Sequence, residues 1–178
     1  MPQHRHRHDP SKTLVGFAVG DVRYAIAIAE VREISNPLPL VPLPHAPTEV
    51  RGVADYRGEV IPVVDLRTRF GLAATEDSRR VKWVVVQVSG RSVALVVDRM
   101  LGVFGTGATG IRPAPPLGGG ESARGLEGVT TNQDGLVFVV DLSAFGDLTR
   151  ELALPDGAAP ALPPVEQGEL RAPKAGRT

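Results

Sequence analysis

The sequence predicts an all-β body: two pseudo-symmetric small barrels, docked against each other, with short helical connections. Three observations lead there. Residues 13 to 148 are rich in valine while the whole chain is only 4% aromatic, a composition suited to pleated, half-buried strands. Their apolar residues come in short alternating runs bounded by turn residues, as hairpins require. The second half of this segment also repeats the first.

The repeat is visible without gaps. When 18–34 is laid on 87–103, Tyr24, Ile26 and Ile28 fall on Val93, Leu95 and Val97, and Val31 and Ile34 fall on Met100 and Val103. When 50–66 is laid on 126–142, Gly52, Val53, Val63, Val64, Asp65 and Leu66 are identical to Gly128, Val129, Val139, Val140, Asp141 and Leu142. The order of the two matches is the same in both halves.

Each half therefore reads alike. A first strand (Leu14 to Val19; Trp83 to Val88) turns at Gly20-Asp21 or Ser89-Gly90 into a second (Tyr24 to Ile28; Val93 to Val97). A short segment follows, Ala29 to Ile34 in the first half, too short for an independent helix. After a Pro-rich or Gly-rich connection a second hairpin closes the unit, Val50 to Tyr56 with Val60 to Val64, and Leu126 to Thr131 with Leu136 to Val140. Pro62 has no N–H to donate, which places it at an edge or a bulge. So few short strands cannot cover both faces of a flat sheet, so each half is expected to curl into its own barrel. Asp65 and Asp141 each precede a short run (Leu66 to Phe70; Leu142 to Phe145) and are expected to cap it.

Positions where the repeats differ are free of the shared fold. Arg57-Gly58 makes the bend of one closing hairpin, and Gln133-Asp134 stands there in the other. The arginine is not needed to turn the chain. It is a candidate for function.

The ends differ in character. Residues 1–12 are His/Arg-rich and 149–178 are rich in Pro, Ala and Gly, and both read as disordered tails. With 20 basic and 20 acidic residues the net charge is zero, which removes the usual electrostatic case for nucleic acid or anionic membrane. The absence of cysteine excludes disulfides and thiolate chemistry and points to a reducing, cytoplasmic setting. Gly105 to Gly110 spells GxGxxG, but Ile-Arg-Pro-Ala-Pro-Pro follows and cannot start the helix a dinucleotide site needs, so a linker is the better reading. His4, His6 and His8 alternate with arginines that repel cations, so no metal or other cofactor is expected. No histidine lies in the strands, and Asp65, Asp98 and Asp141 each end a Val-Val strand where capping explains them. No catalysis is expected.

The segment RGVADYRGEVIPVVDLRTRFGL resembles the signature of CheW, the adaptor family of bacterial chemosensory arrays. FAVGDVRYAIAIAEVREI is similar to the family's opening hairpin. VALVVDRMLGVFGTGATGIRPAPP is similar to its second-half strand, and LEGVTTNQDGLVFVVDLSAF to its closing hairpin. The family commonly has Asn-Leu before the Arg-Gly, where this chain has Asp55-Tyr56. The resemblance covers residues 13–148. It implies two five-stranded SH3-like barrels and no activity. It also implies two partners, the regulatory domain of a CheA-type histidine kinase and the cytoplasmic helical tip of a methyl-accepting chemoreceptor. Ile28, Val31, Glu33 and Arg57, with Val103 in the second half, match the family's receptor groove, while Gly58, Asp65 and Asp141 are turn and cap residues. The alternative is a stand-alone CheW-like module in a pathway controlling pili, gliding or genes, engaging one of these partners only.

Overall fold

A computed structural model describes residues 12–73, 79–106, 110–114 and 125–151. Both tails beyond these bounds, the His4, His6 and His8 run, and the middle of the GxGxxG stretch lie outside the described residues.

The described residues form ten strands and two short helices. They run β1 (Thr13–Val19), β2 (Val22–Ala27), β3 (Val31–Ser35), β4 (Val50–Tyr56), β5 (Glu59–Asp65), α1 (Leu66–Arg69), β6 (Lys82–Val88), β7 (Arg91–Val97), β8 (Arg99–Gly105), β9 (Leu126–Asn132), β10 (Gly135–Val140) and α2 (Gly146–Glu151). A 3-10 turn over Ile28–Glu30 joins β2 to β3, and another over Leu142–Phe145 precedes α2.

The strands form two five-stranded sheets, and their order corrects the expectation that each half folds by itself. The first sheet runs β8-β1-β2-β10-β9 and the second β3-β6-β7-β5-β4. The opening hairpin of one half is thus completed by the third strand and closing hairpin of the other. Replacing each strand by its duplicate turns one order into the other, so the repeat is intact and its parts are exchanged. The seams are parallel: Phe138 pairs with Tyr24 in the first sheet, and Val63 with Ala94 in the second. The segments after β2 and β7, read from sequence as a short connection, are full edge strands, β3 and β8.

Each sheet curls until its outer strands meet. In the second, the Tyr56 hydroxyl on β4 donates to Glu33 on β3 at 2.5 Å. In the first, Thr130 on β9 donates to the carbonyls of Thr106 and Gly110, just beyond β8. The connection after the third strand also lies down on the closing hairpin, as Val41 on Val53 and Arg112 on Val129. These partners are equivalent under the repeat. The identical glycines 52 and 128 follow from that approach, since a Cβ on either would stand 2.2 Å from the Val41 carbonyl oxygen or 2.3 Å from that of Arg112.

Pro62 sits in β5, an inner strand, yet costs no ladder bond. Val53, opposite it on β4, gives both its N–H and its carbonyl to Val41, so the Pro62 nitrogen faces away from β4, and the parallel pairing with β7 starts only at Val63.

One core lies between the sheets, where Phe17, Tyr24 and Ile26 of the first meet Val84, Val86, Leu95 and Val97 of the second. Tyr24 stacks on Phe70 there, with centroids 4.5 Å apart. Each sheet has a further core within its own curl: Ile61, Val63, Trp83, Val85, Ala94 and Val96 in the second, and Leu14, Ala25, Val137 and Val139 in the first. With both faces covered, Val93 to Val97 is buried throughout, which explains its unbroken apolar run. The pseudo-twofold axis passes where duplicates touch: the Arg69 guanidinium lies 4.5 Å over the ring of Phe145, its own equivalent.

Candidate protein-docking rim

The bend between β4 and β5 places Arg57 at φ 55° and Gly58 at φ 82°. Two left-handed residues in a row make the type I′ turn that matches strand twist, a geometry that favours Asn-Gly. Holding an arginine there costs about 1 kcal/mol. Asp55 offsets part of this by accepting the Gly58 N–H at 2.7 Å.

The strained turn aims a charge. The Arg57 guanidinium passes 5.4 Å over the Tyr56 ring and pairs with Glu33 on β3 at 2.5 Å. Glu33 Oε2 also accepts the Tyr56 hydroxyl, and that bond to a carboxylate pushes the phenol pKa up by favouring its protonated form. Tyr56 is buried and already closes the curl onto Glu33. Arg57 is 73% exposed, and an ion pair so wet is worth about 0–1 kcal/mol. The fold gains little from it.

A second clasp runs alongside. Buried Ser92 on β7 donates to Glu59 at 2.9 Å and accepts from Arg32 on β3 at 2.5 Å. Arg32, Glu33, Arg57 and Glu59 therefore alternate in sign along one rim of the second sheet.

Of the residues singled out in sequence, Glu33 and Arg57 touch. Ile28 and Val31 are half-buried on the crossing from first sheet to second, with Val31 packed against the inter-sheet core. Ile34, beside Glu33, is 43% exposed. Val103 lies apart, on β8 of the first sheet and 60% exposed. Its partner Val15 also pairs with Ile26, so all three share the sheet face that Ile26 directs to the inter-sheet core. Sequence reasoning missed Tyr56 and Ile34. Tyr56 could have been suspected from its place beside a turn whose first position holds arginine, whereas the exposure of Ile34 has no such local mark.

The Asp65 and Asp141 carboxylates accept the backbone N–H groups of Arg67 and Ser143, each at 2.8 Å, and so cap the turns that follow. Asp65 also pairs with Arg51 at 3.2 Å. Asp141→Ala should cost about 1 kcal/mol of unfolding free energy. Asp65→Ala should cost more, because it also strands Arg51; urea denaturation of the pair measures the difference.

Glu30, in the crossing turn beside Ile28, has its pKa raised by burial and by Glu127 and Asp141 nearby. Its folded state therefore favours the protonated form. That contribution is complete below the ordinary value of 4.5 and is lost as pH rises through the folded pKa. Glu30→Gln should raise Tm at pH 7 by ~2 °C, and the gain should vanish on titrating below about pH 4.

Among the described residues no group of His, Cys, Asp and Glu is placed to hold a metal, and no helix is long and apolar enough to cross a membrane. What the rim offers is charge, apolar edge and shape.

The model of the CheW-like domain family matches residues 13–149. The chain is 34% identical over 150 residues to the chemotaxis protein CheW of Rhizobium meliloti, covering 84% of this chain and 97% of that protein. It is 36% identical over 121 residues to protein FrzA of Myxococcus xanthus, covering 67% and 74%. Among solved structures it is similar to the scaffolding protein TtCheW from Thermoanaerobacter tengcongensis, with a TM-score of 0.68, 27% identity, and coverage of 74% of this chain and 89% of that one. The signature residues, the two exchanged sheets and these matches agree, and the chain belongs to the CheW family of non-catalytic chemotaxis scaffold proteins.

Proposed function

We propose that this protein works in the cytoplasm and holds a CheA-type histidine kinase and a chemoreceptor tip at the same time, coupling them by geometry alone. The receptor's helical tip lies against Ile28 and Val31, with Val103 at the far side of the groove. Anchors spaced along one helix face suit such a groove. Arg57, paired with Glu33 in the free protein, turns to acceptors on the receptor. The kinase's regulatory domain meets the barrel rims.

One observation carries the reading. Arg57 occupies a left-handed turn position where asparagine or glycine would sit without strain, and its ion pair is too exposed to offset that cost. A residue kept against local preference, and replaced by Gln133 in the sister hairpin, is kept for something outside the fold.

Gel filtration of the chain with a kinase regulatory domain and a receptor-tip helical hairpin tests this. The expected result is a single ternary peak, and Arg57→Glu should remove the receptor fragment while retaining the kinase domain. A chain that binds only one of them is a single-partner module and not a coupler.

A further inference from the structure

The chain crosses between the two sheets directly at two equivalent places, and the crossings are built from opposite chemistry. At the crossing from β7 to β8, Asp98 ties three segments together. Its carboxylate takes Arg67 Nε at 3.0 and 3.1 Å and the Gly20 N–H at 2.6 Å, and its own N–H donates to the Ala18 carbonyl at 3.0 Å. Gly20 and Ala18 belong to the opening hairpin of the first sheet, whereas Arg67 belongs to α1, which follows β5 of the second. Arg67 is anchored further by donating to the Ala73 carbonyl at 2.8 Å. One carboxylate thus joins both sheets with charge-assisted bonds in a half-buried setting, the strong kind.

At the equivalent crossing from β2 to β3 neither of the two charged side chains exists. Ala29 stands for Asp98 and Ser143 for Arg67. The chain passes through the Ile28–Glu30 turn, which has no buried residue and no side-chain cap. Its one carboxylate, Glu30, has its pKa raised first by burial and then by the like charges of Glu127 and Asp141.

We propose that the two sheets pivot about the Asp98 crossing, held by Arg67 and Gly20, and open and close on the Ile28–Glu30 side. The duplication supplied two equal joints; Asp98 and Arg67 in one, and Glu30 in the other, made one fixed and the other compliant. Such a joint sets the spacing of the sheets at the Ile28 side without breaking a strand pair.

The chain has no cysteine, so spin labels at Gln87→Cys on β6 and Thr131→Cys on β9, both exposed, report the separation of the sheets by pulsed dipolar spectroscopy. Asp98→Asn and Arg67→Met should each broaden the distance distribution at least about 1.5-fold, while Glu30→Gln leaves it unchanged or narrows it. Native-state hydrogen exchange is the second reading: the Gly20 amide should lose protection tenfold or more in Arg67→Met, with the amides of β6 and β7 unchanged. Uniform loss of protection with an unbroadened distribution would mean that the cluster merely stabilises the fold. Equal broadening by Glu30→Gln would mean that the joints are equivalent. Either result overturns the proposal.

Discussion

Gly52→Ala should cost about 3 kcal/mol or more of unfolding free energy, a large share of a small protein's total stability. Two terms combine. The residue sits at φ 145°, where an L side chain is strained. Its new Cβ would also stand 2.2 Å from the Val41 carbonyl oxygen and 2.8 Å from the carbonyl carbon. These are backbone atoms, held because Val41 and Val53 exchange two hydrogen bonds of 2.8 Å. Relief therefore means peeling the proline-rich connection off the closing hairpin. Gly128→Ala should cost about 2 kcal/mol or more for the same steric reason. Gly58→Ala is the control: it has a positive φ of 82° and nothing within 4 Å, so it should cost about 1 kcal/mol. Urea denaturation of the three variants gives the ranking.

Leu95→Ala should cost about 2.7–5 kcal/mol, the range for fully buried leucines. Leu95 is 0% exposed, lies opposite Val84 and Val64, and faces the core between the sheets. The strand exchange adds a qualitative expectation. Neither sheet can be built from one half alone, so the sheets should unfold together even in this weakened variant. Fluorescence of Trp83, the chain's single tryptophan, reports the curl of the second sheet, and far-UV circular dichroism reports both. The two transitions should coincide. Separate midpoints would show that the sheets are independent units.

The hairpins were legible because they are local: alternation and turn residues lie within a few positions of each other. The repeat was legible because the identities at 52, 53 and 63–66 survive without a gap. The exchange was not. Its seams join Tyr24 to Phe138 and Val63 to Ala94, and a parallel pair so distant in sequence leaves no local mark. The strands β3 and β8 escaped for another reason. In Val31–Ser35 the burial alternates but the hydrophobicity does not, since Val31 and Ile34 are three apart and Ile34 is exposed, while Arg99–Gly105 alternates in neither.

At the rim, Arg57 stood out because its counterpart is Gln133, and opposite charge suggested Glu33 as its mate. The third member, Tyr56, could not be read from charge. The Asp98 cluster was hidden further, since an aspartate ending a Val-Val strand looks like a cap. Asp65 and Asp141 are caps, whereas Asp98 binds Arg67 and Gly20 across the sheets.

The claim on which the account rests is that Arg57 serves docking and not folding. Replacement by asparagine separates the two, because asparagine tolerates the left-handed turn and removes the charge. Calorimetric titration of Arg57→Asn with a receptor-tip hairpin should show affinity lowered about tenfold or more, the usual cost of losing a central arginine contact. Its Tm should equal or exceed that of the parent, and its affinity for the kinase regulatory domain should be unchanged. A variant that melts several degrees lower, or one that holds the receptor tip as tightly as the parent, would contradict the claim.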